Sequence, residues 1–341
     1  MKLALTALFV AALALPAIAG CDASAARDEV IVYVAVDRGD AEPILRRFEE
    51  QSGVRVRAVY DAEAAKTTGL VTRLLAESDH PRCDVFWNNE LVQTLLLAQR
   101  GALDAYRPAS ADDLPDDFKA ADGRWTAVAQ RARVIVYNAE HVPADQAPQS
   151  IFDLTKPEWR GKAAIANPQF GATRAHVAAL FAVLGEERAK KWLSDLRAND
   201  IRIVDGNAMV KNLVGKATPG ASPIYVGLTD TDDVESGLAE GRPLAMVYPD
   251  QDELGTLLMP STVALVRGAP HPEAARKLID YLTSRDVGTA LTAGNSGYLP
   301  VREGAVAAKL KLPPRRMQVP LDKWFDELEP SSLWTQEHFQ P

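Results

Sequence analysis

The sequence predicts an α/β fold of two domains, built on a largely parallel sheet. Strand-like and helix-like segments alternate from residue 29 onward, and the 341-residue chain is long enough for two ordinary domains. EVIVYVAV (29–36) is a β-branched run of buried-strand character. AEPILRRFEEQSG (41–53) follows, with Ile44, Leu45 and Phe48 at helical spacing and a glycine stop. VRVRAVYD (54–61) alternates as a strand, and 65–77 has helical spacing. CDVFWNN (83–89) reads as a short strand and LVQTLLLAQRG (91–101) as a helix ending in glycine. Beyond Pro108, an Asp- and Pro-rich stretch (108–123) predicts loop and turns. ARVIVYN (132–138) and IYVGL (224–228) predict strands, and helices are expected over 173–184, 186–200 and 207–216. LGTLLMPSTVALVRG (254–268) predicts paired strands and PEAARKLIDYLTS (272–284) an amphipathic helix. The tail from Arg302 is Pro-rich and weakly periodic.

The first twenty-one residues have a different character. Lys2 is followed by an apolar run from Leu3 to Leu15, broken only by Thr6. That run is shorter than the roughly 20 residues a membrane-spanning helix needs, so it reads as a secretory signal. Ile18-Ala19-Gly20-Cys21 resembles the lipobox of bacterial lipoproteins. The resemblance implies cleavage before Cys21, acylation of its thiol and attachment to a membrane through lipid. Asp22 after the cysteine resembles the signal that keeps lipoproteins at the periplasmic face of the inner membrane; the cell surface is the other address. Residues 22–28 would form a short polar tether.

Composition excludes several classes. A net charge of −8, mixed along the chain, argues against nucleic acid, which wants a basic stripe. Cys83 alone cannot form an internal disulfide once Cys21 is acylated, so the core must supply stability. The five histidines show no zinc-ligand spacing. Paired carboxylates could serve acid–base chemistry, but no nucleophile elbow, phosphate-binding loop or metal-hydrolase motif accompanies them. No catalytic residues are therefore expected.

VYVAVD (32–37), DVFWNNE (84–90), RARVIVYN (131–138), PEWRGKAAIANP (157–168), MVYPDQDELGT (246–256) and STVALVRGAPHPEAARKLIDYL (261–282) together resemble the ferric-iron-binding family of periplasmic solute-binding proteins. The match runs from about 28 to 300 and rests on the order of the motifs. The resemblance implies the type II periplasmic binding protein fold, with two lobes and a ligand cleft between them. Crossings near Arg133–Asn138 and Met246–Gln251 would give a first lobe of 28–132 plus 246–341 and a second of 133–245. An ABC permease and its ATPase are the implied partners.

Ligands of open α/β sheets bind beyond the carboxyl ends of strands. Asp37, Asn89, Glu90, Asn167, Thr173, Asp230, Asp232 and Asp233 follow predicted strands or frame the helix after one. The resemblance implies that Glu90 stands at an iron-ligand position, that Asp37 replaces a histidine, and that Asp232 and Asp233 replace the family's paired tyrosines. Converging carboxylates repel and raise each other's pKa, which a hard cation with oxygen ligands resolves. Glu90, Asp232, Asp233 and Asp37 are therefore the expected metal ligands, with iron favoured. The two aspartates could instead cap the following helix. Asn167-Pro-Gln-Phe-Gly-Ala-Thr173 resembles an anion-binding turn at a helix N-terminus. Arg131 and Arg133 could bind that anion or pair with the acids, and Tyr248 lies near the second crossing. Loss of the tyrosine pair keeps a second ligand class open: an organic phosphate, a phosphonate or a zwitterion.

Overall fold

The computed structural model describes residues 28–61, 68–216, 223–294, 296–302 and 308–339. The leader, Cys21 and residues 22–27 of the tether lie outside them. Ten strands form the framework: β1 (Glu29–Val34), β2 (Arg55–Tyr60), β3 (Val85–Asn88), β4 (Leu103–Asp104), β5 (Thr126–Asn138), β6 (Ala163–Ala166), β7 (Arg202–Val204), β8 (Val226–Asp230), β9 (Leu244–Val247) and β10 (Leu258–Val266). Helices cover them: α1 (Arg38–Ser52), α2 (Thr68–Ala76), α3 (Leu91–Gln99), α4 (Gly171–Leu184), α5 (Glu186–Ala198), α6 (Asn207–Gly215), α7 (Thr231–Ala239), α8 (Pro272–Leu282), α9 (Arg285–Ala293), α10 (Leu321–Asp326) and α11 (Leu328–His338).

The strand order is β2-β1-β3-β10-β5-β8-β6-β7, with β4 on β10 and β9 on β5. β5 holds the two halves together. Its Thr126–Ala132 part pairs with β10, and from Arg133 onward it pairs with β8 and β9. All thirteen of its residues are buried, as expected for a strand covered on both faces. The chain returns between β9, which pairs in the second half, and β10, which pairs in the first. Two lobes with separate cores result. Val30, Val32, Phe48, Trp87 and Leu278 anchor one core, and Ile135, Leu180, Trp192 and Leu228 the other.

Four expectations change. Parallel pairing is confined to β1 with β2 and β3, and to β6 with β7 and β8; β5 and β10 make only antiparallel pairs. A crossover strand shared by two sheets runs against its neighbours in both. Residues 254–268 give one strand, β10, because its partners are β3, β4 and β5 rather than a hairpin mate. β5 begins at Thr126, six residues before the expected start, in a stretch whose Ala, Gln and Arg carry little strand propensity. Finally, the tail expected in the first lobe packs on the second. Met317, Trp324, Leu328 and Phe339 join the core formed by α4 and α5. Trp324 Nε1 donates to the Ala175 carbonyl of α4 at 2.7 Å.

Candidate functional site

Between the lobes lies a cleft lined by residues of both halves. Five helix N-termini reach it, each just beyond the end of a strand: Asp37 caps α1, Glu90 α3, Phe170 α4, Gly206 α6 and Asp230 α7. The five ends differ in charge. α1, α3 and α7 bring Asp37, Glu90, Asp230, Asp232 and Asp233. α4 and α6 have no acid in the first turn and no side-chain cap. Their free N–H groups favour an anion, most of all at α4, since Asp205 lines the cleft beside the α6 end.

The acids are tightly organised. One carboxylate oxygen from each of Asp230, Asp232 and Asp233 lies within 4.8 Å of the others, and all three residues are buried. Arg131 Nη1 bridges Asp232 Oδ2 at 2.6 Å and Asp230 Oδ2 at 3.0 Å. Arg133 Nη1 reaches Asp230 Oδ1 at 2.7 Å, and Asn207 Nδ2 donates to Asp230 Oδ2 at 2.9 Å. Asp233 Oδ2 accepts from the Thr229 hydroxyl at 2.9 Å. Glu90 spends both oxygens on its own helix, accepting from Val92 N and Gln93 N at 2.8 and 3.0 Å. Burial pushes its carboxyl up to about 7, against the pull of those two N–H groups and of the Arg174 charge.

Asp37, Asn89, Glu90, Asn167, Thr173, Asp230, Asp232 and Asp233 therefore line one cleft, together with Arg131. Arg133 sits behind it, wholly buried, with Nη2 3.4 Å from Thr173 Oγ1. Tyr248 is elsewhere. It packs with Met246 in the cluster around Val210 and Val214 and donates to the Lys311 carbonyl at 2.9 Å. The Asp205-Gly206-Asn207 turn escaped sequence reasoning although it lines the cleft. It follows β7, a strand of three residues, and recognising that strand would have exposed it.

A sequence profile of the family described as bacterial extracellular solute-binding protein matches residues 84–324. The chain belongs to that family. This solute-binding protein is 23% identical over 301 residues to the Fe(3+)-binding periplasmic protein of Serratia marcescens, covering 88% of this chain and 87% of the relative. Its fold matches iron-bound HitA from Pseudomonas aeruginosa with a TM-score of 0.81 at 20% identity, covering 92% and 100% of the two chains. The periplasmic binding protein AfuA from Actinobacillus pleuropneumoniae, solved with fructose-6-phosphate, matches with a TM-score of 0.79 at 21% identity over 91% and 98%. The two-lobe type II periplasmic binding fold is thereby established for this chain.

Proposed function

We propose that this solute-binding protein captures a ferric or other hard metal cation, together with an anion, and delivers it to an ABC permease and its ATPase. The observation that carries the reading is the set of three carboxylates within 4.8 Å, in a cleft that also receives two helix ends with no acid in the first turn. Hard cations take oxygen ligands, and a cation could share the carboxylate oxygens that Arg131, Arg133, Asn207 and Thr229 already engage. Asp232 and Asp233 are the principal ligands, with Asp37 and Glu90 closing the site from the first lobe. Asn167, Thr173 and the α4 and α6 ends hold the anion. Arg133 acts through Asp230. The Serratia marcescens relative named for Fe(3+) supports iron as the cargo.

Elemental analysis of purified protein lacking residues 1–21, followed by Fe³⁺ titration, tests this. One metal per chain is expected, lost in Asp232→Ala. A metal-free protein with no thermal shift on adding Fe³⁺ would sink it. A second reading then follows from the arginines. Arg131 already offsets the acids, and the uncapped α4 end, with no acid in its first turn, suits a phosphate ester or phosphonate. AfuA, solved with a sugar phosphate, supports that class.

The protein works as a monomer held by acylated Cys21 at the periplasmic face of the inner membrane. No helix of the described residues is long and apolar enough to cross a membrane. Cys21→Ser is expected to move the protein from the membrane to the soluble fraction; unchanged membrane association would reject the anchor.

A further inference from the structure

Tyr298 follows α9, far in sequence from the residues that line the cleft, and is buried. Its hydroxyl donates to Asn89 Oδ1 at 2.9 Å. Burial, with Asp232 nearby, holds the phenol protonated well above its ordinary range, so this oxygen keeps its hydrogen. Asn89 is fixed at its backbone as well. Its N–H donates to Asn88 Oδ1 at 2.8 Å, and its carbonyl accepts from Arg131 Nη2 at 2.8 Å. What remains is the Asn89 amide nitrogen. Nδ2 is buried and has no hydrogen-bond partner among the described residues, and Asn89 is one of the residues that line the cleft.

A buried donor without an acceptor is costly, and native structures keep few of them. Rotating the amide would bring Nδ2 to the phenol oxygen, which can accept, but would strip the phenol hydrogen of the acceptor it now has. The tyrosine therefore commits Asn89 to presenting N–H rather than C=O. The segment leading to Tyr298 is pressed against the opposite lobe. Gly297 has φ +71°, and a Cβ there would stand 2.4 Å from Asp232 Cα.

We infer that Tyr298 is a positioning residue that locks the Asn89 amide as a hydrogen-bond donor, so that this site selects a ligand bearing an acceptor oxygen of phosphate or carboxylate type. The inference rests on the cleft being the solute site. It adds that the ligand must satisfy a fixed donor on the first-lobe wall, beside Glu90, as well as the helix ends of the second.

The test uses the purified chain, with inorganic phosphate as probe in the presence and absence of Fe³⁺. Tyr298→Phe and Asn89→Leu are each expected to weaken phosphate-dependent binding on the order of tenfold, and the double variant no further than either alone. Additive losses, or full phosphate binding by Tyr298→Phe, would overturn the positioning role. A second readout needs no ligand. In asparagine-labelled protein, the Asn89 amide protons should give one sharp pair of resonances, which broadens or doubles in Tyr298→Phe as the amide samples both orientations. An unchanged pair overturns the proposal even if neither iron nor phosphate binds. Normal amide behaviour with no binding of either probe would instead reject the cargo reading and leave the lock standing.

Discussion

Asp250 shows how far one residue can be from its preferred state. It sits in the return crossing between β9 and β10 with φ +63°, a left-handed conformation that asparagine and aspartate tolerate best among side-chain-bearing residues. Its carboxylate is buried, accepts from the Ser150 hydroxyl and the Ile151 N–H, and faces no cation within ion-pairing distance among the described residues. Burial pushes its carboxyl up to about 6. The folded protein thus holds this proton more tightly than the unfolded chain does. Its contribution to stability falls as pH rises from about 4 to about 6, and levels off above that. Asp250→Asn keeps an acceptor and the backbone preference but removes the charge. It is expected to stabilise the protein at pH 7.5 by up to about 3 kcal/mol and to make little difference near pH 4. Urea unfolding at the two pH values checks this; an equal effect at both would reject it. The cleft residues were legible for a related reason. Asp37, Glu90 and the Asp230–Asp233 run each follow a β-branched or aromatic strand, so the rule of looking beyond strand ends found them. Tyr298 follows a turn, and no local pattern says that it will meet Asn89.

At the scale of elements, legibility followed how much of each element's stability is local. β1, α1 and α8 combine clear periodicity with end signals, such as the glycine that ends α1 in a left-handed cap. α10 and α11 carry no such signal. α10 has six residues, too few for an isolated helix, and is held by packing on α4. Trp324 is the anchor, 3% exposed and bonded to the Ala175 carbonyl. Trp324→Ala should cost about 3–5 kcal/mol, the usual range for emptying a large aromatic site. Hydrogen exchange should then show α4 and α5 losing protection while β1 and β2 keep theirs. Loss spread evenly over both lobes would mean that the tail does not belong to the second lobe's core.

For the whole molecule, the proposed capture depends on the cleft walls coming from different lobes. Asp37, Asn89 and Glu90 belong to the first; Asn167, Thr173, Asn207 and the Asp230–Asp233 run belong to the second. β5 passes between them unbroken, and the return crossing is an irregular segment, so the connections allow a hinge. A ligand that touches both walls favours the closed arrangement by the difference in its affinity for closed and open forms. Ligand at a hundred times its dissociation constant adds about 2.7 kcal/mol of stability, or a rise in melting temperature of roughly 5 °C for a chain of this size. Small-angle scattering should show the radius of gyration falling as the melting temperature rises. Asp37→Asn from the first lobe and Asp233→Asn from the second separate bridging from one-sided binding. If the ligand bridges, each variant should reduce the compaction and the melting shift together. If Asp37→Asn leaves both intact while Asp233→Asn abolishes them, the second lobe binds alone and closure needs another cause.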